Sequence, residues 1–169
     1  MGREIRRVAP GWQHPTYKEV SDGMESMLHA NSFHPIYNEE YDQAAAEWLE
    51  GCLKWSEGKH EDQGRDDGFN RPKHYWDWHG MPPDKSYYRH GKWSFKPEDA
   101  TAFQIYETVS EGTPVSPVFE TKDAMRIWLI EQGHSESSAD GFINAEWAPS
   151  MIVGPNGIRM GIDAMGGDS

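Results

Sequence analysis

Residues 103–109 read Phe103-Gln104-Ile105-Tyr106-Glu107-Thr108-Val109, and the spacing within this stretch decides the fold. Phe103, Ile105, Glu107 and Val109 alternate with Gln104, Tyr106 and Thr108, the period of two that puts successive side chains on opposite faces of a strand. The pattern predicts a strand over 103–109. Before it, Pro97 suits the first position of a short helical turn. After it, Gly112-Thr113-Pro114 forms a turn, and Thr121 caps a helix that presents Met125, Trp128 and Leu129 on one side and stops at Gly133. A second helix is expected from Ser138 to Trp147, with Phe142, Ile143 and Trp147 inward. Met151 and Val153 then oppose Ile158, Met160 and Ile162 across Gly154-Pro155-Asn156-Gly157, which is a hairpin signal. Residues 166–169 read as a frayed tail.

Upstream, Tyr41, Ala44, Ala45, Trp48, Leu49, Cys52 and Leu53 recur at helical spacing, with Asn38 placed to cap and Glu39, Glu40 and Asp42 in the first turn. This amphipathic helix should end near Gly58. Residues 56–72 are charged and glycine-bearing, as loops are. Residues 74–95 hold Trp76, Trp78, Tyr87, Tyr88 and Trp93 around Pro82-Pro83 with almost no aliphatics, so no regular element is implied. Residues 1–37, with Pro10, Pro15 and Pro35, read as an extended arm with one helical turn near Met24, Met27 and Leu28. Arg3, Arg6 and Arg7 in that arm suit a solvated tail or a packing strand. The sum is a single α+β domain over 1–169: a small antiparallel sheet packed with about three helices, plus the long aromatic-rich irregular segment 56–96.

Only 36% of the 169 residues are hydrophobic, so the eight Trp, seven Tyr and six Phe must supply much of the buried area. Each ring buries roughly 150–250 Å², enough to replace several aliphatics. With 28 acidic residues against 16 basic ones, the formal charge of −12 argues against attraction to DNA, RNA or anionic membranes, and for a protein partner with a basic surface. Cys52 is the sole cysteine, which excludes an internal disulfide and fits a reducing compartment. No apolar run approaches the ~20 residues of a membrane span, and no signal-peptide stretch opens the chain.

Enzyme signatures are incomplete. Cys52 falls on the apolar stripe of its helix and reads as a structural thiol. Ser110, Ser116 and Ser150 lack a Gly-x-Ser-x-Gly elbow, and no phosphate-binding loop joins a strand to a helix. Glu39-Glu40 and Asp66-Asp67 are adjacent in sequence and read as solvated acid. Of the eight histidines, His14 and His34 precede prolines and suit extended backbone. His74, His79 and His90 lie near Asp77 and Asp84, the residue types that bind metal, yet His74 and His79 are five apart where a helical pair needs four. No cofactor is expected.

The chain also carries stretches of another kind. Met1 to Val8 followed by Trp12-x-His14-Pro15, then Ala44-Ala45-Ala46-Glu47-Trp48, Pro82-Pro83-Asp84 to Tyr88-Arg89, Tyr106 to Pro114, and Trp147-Ala148-Pro149-Ser150-Met151, resemble small uncharacterised proteins encoded by tailed bacteriophages. The resemblance covers most of the chain. It implies a phage origin and a setting in the host cytoplasm, and it transfers no site residue.

Trp76, Trp78, Tyr87, Tyr88 and Trp93 are therefore the expected partner-binding residues, because Trp and Tyr offer large rigid faces at low entropic cost. The expected role is a phage accessory protein that binds a host or phage protein, for example to block CRISPR or restriction or to redirect host machinery. Two further roles stay open: a metal-dependent hydrolase or nuclease using His74, His79 or His90 with Asp77 or Asp84, and a minor virion or assembly component.

Overall fold

The computed structural model describes residues 2–65, 68, 71–108, 112–154 and 157–166, with the backbone alone over 151–154 and 157–160. Its centre is an antiparallel pair: β1 (Arg3–Val8) runs against β2 (Ala102–Glu107) with Ile5 opposite Ile105 and Arg6 opposite Gln104. The strand predicted at 103–109 is thus present, and Val109 lies outside the described residues. β3 (Thr113–Pro114) adds to the outer side of β2, where a proline is tolerated because no neighbour needs its missing N–H. β4 (Trp147–Ala148) pairs with β1. The order is β3-β2-β1-β4.

Residues 3–8 therefore form an inner strand of the sheet, a more central place than a terminal arm suggests. The reason lies across the ladder. Arg3 Nη1 reaches Glu107 Oε1 at 2.7 Å, and the Arg7 guanidinium lies 5.3 Å above the Phe103 ring, so of the two readings of the arm, solvated tail or packing strand, it is the strand that forms, with its basic residues as cross-strand partners.

α1 (Tyr17–Val20) and α2 (Met24–Leu28) are single turns within the N-terminal segment. α3 (Tyr41–Ser56) matches the predicted amphipathic helix, but Glu40, not Asn38, holds the cap position. α4 (Tyr75–His79) is a short helix inside the aromatic block. α5 (Lys122–Glu131) begins where Thr121 Oγ1 accepts from Ala124 N–H, as the sequence implies.

α6 (Glu136–Ala145) starts two residues earlier than predicted, because Ser135 Oγ accepts from Ser138 N–H. It also ends earlier. Glu146 turns left-handed at φ 56°, its carbonyl accepts from Ile5 N–H, and the chain passes into β4. Trp147, predicted inward, is consequently 51% exposed. β5 (Met151–Gly154) and β6 (Gly157–Met160) form the predicted hairpin, with Met151 opposite Met160 and Val153 opposite Ile158; Pro155 and Asn156 of its turn, like residues 167–169 of the tail, lie outside the described residues. Ile162 is buried in a 3-10 turn just after it.

The sheet divides two cores. On one face Ile105, Phe119, Met125, Leu129, Ala139, Phe142 and Ile162 close together under α5 and α6. On the other, Val8, Ala102 and Tyr106 pack with Trp12 and Phe95.

Candidate functional site

Outside these cores, α3 and α4 form a small unit of their own. Tyr75 is its wedge: the ring lies against Trp48, Trp55, His60 and His79. Gly51 faces it from α3, and a Cβ there would overlap the Tyr75 ring, so the glycine sets how closely α4 approaches. Trp48 Nε1 donates to Gly80 O at 3.1 Å and Trp55 Nε1 to Lys73 O at 3.1 Å, which ties both ends of α4 to α3. Five residues make too short a helix to persist unaided, so these contacts are what hold it.

Trp76 and Trp78 ride on α4 at 43% and 36% exposure, with Met81 exposed beyond them. Trp76 stacks on His74 at 4.5 Å with the rings nearly parallel. Tyr87 and Tyr88 are half-buried among rings from the N-terminal half, Tyr87 beside His34 and Tyr37, Tyr88 beside Tyr37 and Tyr41. Trp93 is also half-buried. It lines an open cavity of about 450 Å³ together with Trp12, His14, Glu19 and Lys92. The five aromatic residues thus occupy three settings, and only Trp76 and Trp78 belong to the α3–α4 unit.

The metal-type residues divide as well. Asp77 accepts from the backbone N–H groups of His74 and Lys73, at 2.9 and 3.0 Å, and these bonds hold its carboxyl below the usual range. It is a helix cap. Asp84 likewise accepts from Ser86 N–H and Oγ, and its carboxyl is lowered by those bonds. His90 Nδ1 donates to Tyr88 O at 2.8 Å beside Trp93. Of the five candidates His74, His79, His90, Asp77 and Asp84, His79 alone enters a cluster among the described residues, and its companions come from elsewhere.

That cluster is His60, Asp62 and His79, whose ligand atoms all lie within 4.8 Å of one another. Asp62 is buried; its Oδ2 is 3.0 Å from His79 Nε2 and 3.9 Å from His60 Nδ1, and its Oδ1 pairs with Arg65 Nη1 at 2.7 Å. The loop just after α3 supplies His60 and Asp62, and the last residue of α4 supplies His79. In the sequence these two sat in a charged, glycine-bearing loop, 17 or more positions from His79. A His-x-Asp pair immediately following an amphipathic helix was the available signal.

Cys52 is half-buried on α3, and burial pushes its thiol up, away from the reactive thiolate form. Among the described residues no helix is long and apolar enough to cross a membrane. No known protein family, curated protein or solved structure gives a match to the chain.

Proposed function

We propose that the protein works by stoichiometric binding to a partner protein with a basic surface, as a phage accessory factor that inhibits a host antiviral defence such as CRISPR or restriction, or diverts host machinery. The observation that carries this reading is that α4, a helix fastened to α3 through Tyr75, leaves both Trp76 and Trp78 exposed. Indole faces presented on a fixed element lose little entropy on binding, which is what hot-spot residues require. The same two-helix unit exposes Leu49 and Leu53.

Charge supplies the complement. Between residues 39 and 63 eight acidic side chains are set against Lys54 and Lys59 alone, so the field around this unit favours a cationic partner and accelerates its approach at low salt. The phage setting rests on the resemblance of the stretches named above.

Capture from infected or defence-bearing cells, followed by reconstitution with the purified partner, tests the reading. The Trp76→Ala, Trp78→Ala double variant should keep its fold and lose affinity on the order of 1,000-fold, since hot-spot truncations cost ~2 kcal/mol or more each. A folded double variant that binds the reconstituted partner as well as the parent protein removes this surface from the function.

A further inference from the structure

We propose that His60, Asp62 and His79 form a binding site for a divalent transition-metal ion of the zinc type, which clamps α4 to the loop that follows α3. The site belongs to the chain by itself and needs no partner.

The arrangement of lone pairs is the first argument. His60 Nδ1 accepts from the Asp62 backbone N–H at 3.2 Å, so this nitrogen carries a lone pair and the ring proton sits on Nε2. The same nitrogen faces Asp62 Oδ2 at 3.9 Å, too far for a hydrogen bond, and that oxygen in turn lies 3.0 Å from His79 Nε2. Two imidazole nitrogens thus converge on one carboxylate oxygen. Metal–ligand bonds of ~2.1 Å across a tetrahedral angle set ligand atoms ~3.4 Å apart, so closure around an ion needs movements on the order of 1 Å. In that movement His60 Nδ1 exchanges the Asp62 amide for the metal.

The second argument is the surrounding shell. Arg65 holds the other carboxylate oxygen at 2.7 Å, fixing its orientation in the way outer partners of metal ligands do. Rings wall the cluster: Tyr75 stacks on His79 at 4.5 Å and lies 5.3 Å from His60, while Trp55 covers His60 at 5.7 Å. Such walls lower the local dielectric and strengthen the hold on a cation. Two nitrogens and one oxygen suit zinc or cobalt better than calcium or magnesium, which take oxygen. Three protein ligands leave one position of a tetrahedron to solvent.

Cobalt is the probe, because its visible absorption reports coordination directly. The full chain, stripped with chelator and dialysed, is titrated with Co²⁺ and then with Zn²⁺. One equivalent of Co²⁺ should give a saturable visible spectrum that Zn²⁺ abolishes, and His60→Ala and His79→Gln should each weaken binding on the order of 10-fold or more while keeping the parent circular dichroism. Histidine-ring NMR needs no variant: one equivalent of Zn²⁺ should shift the rings of His60 and His79 and leave His14 and His34 unmoved. The proposal is overturned by the lack of a saturable spectrum up to millimolar Co²⁺, by ring shifts confined to other histidines, or by folded variants that bind as the parent does. Loss of the metal site leaves the Trp76–Trp78 reading standing, since that is read by partner affinity alone.

Discussion

The two faces of the β1–β2 pair are made from alternate members of the same twelve positions, yet they bury their side chains by opposite means. Ile5, Phe103 and Ile105 point to a face sealed by Met125, Leu129, Phe142 and Ile162, where packing and removal from water do the stabilising. Arg6, Gln104 and Tyr106 point to the other, where polar groups are buried and must find one another. Tyr106 Oη accepts from Trp12 Nε1 at 3.0 Å, lies 3.1 Å from His14 Nδ1 and donates to Gln104 Oε1 at 3.1 Å. His14 Nε2 donates to His34 O, and Arg6 donates to Ile36 O with its guanidinium 4.4 Å above the Tyr106 ring. Gly112 is required at this edge: its φ is 107°, and a Cβ would strike Ile36 O and the Arg6 guanidinium. One face tolerates imprecise geometry and the other does not.

The largest effect should come from the apolar face. Phe142 is fully buried there, and Phe142→Ala removes its contacts and leaves a cavity that α6 and the 3-10 turn cannot collapse into. A loss of ~3–5 kcal/mol is expected in urea unfolding, with little dependence on pH. A loss below ~1 kcal/mol would mean that this face is loosely packed and that the contrast between the faces is false.

Acid should discriminate between the faces next. Burial holds the His14 imidazole down at about 4 against its ordinary 6.5, and burial lowers His34 also. The neutral rings are the folded forms. Above pH 6.5 their contribution is complete; as pH falls from there toward 4, the unfolded chain takes up protons that the folded chain refuses, and stability declines. For His14 the decline amounts to ~3 kcal/mol over the window. Urea midpoints measured between pH 7.5 and 5.5 keep ordinary carboxylates ionised and should show the slope. His14→Gln should flatten it, whereas an unchanged slope would place the titrating group elsewhere.

This contrast also explains what could be read in advance. Residues 102–107, 122–131 and 151–160 carry apolar side chains at the period of their element, and each was legible as strand, helix or hairpin. β1 was legible only as one of two alternatives for an extended arm, because Arg3, Arg6 and Arg7 find their partners in Glu107, Ile36 O and Phe103, from 30 to 104 positions away along the chain, which no local pattern encodes. α4 escaped for the same reason: its cap is His74 with Asp77, and its support is Tyr75 set against Gly51 on another helix. Trp147 misled because helical spacing continues through it while Glu146 ends the helix. At the candidate site, the exposure of Trp76 and Trp78 agrees with a segment lacking periodicity, but the meeting of His79 with His60 and Asp62 depends on how α4 folds back on α3.

The finest comparison sets neighbours against each other across the sheet. Ile105→Val removes one methylene from the apolar face and should cost ~0.5–1.5 kcal/mol. Tyr106→Phe removes one oxygen from the polar face, and burial has pushed that phenol up to about 12, so it is the neutral hydroxyl that is lost. Trp12 Nε1 then has no acceptor in place, and Gln104 Oε1 loses its donor, so ~1–3 kcal/mol should go although no cavity larger than one atom is left. Because both groups meet the same oxygen, Trp12→Phe and Tyr106→Phe should be strongly non-additive, with the double variant losing less than the sum of the single losses. Additive losses in that cycle would show that the hydroxyl is not the hub and that the polar face, like its counterpart, is held by ring packing alone.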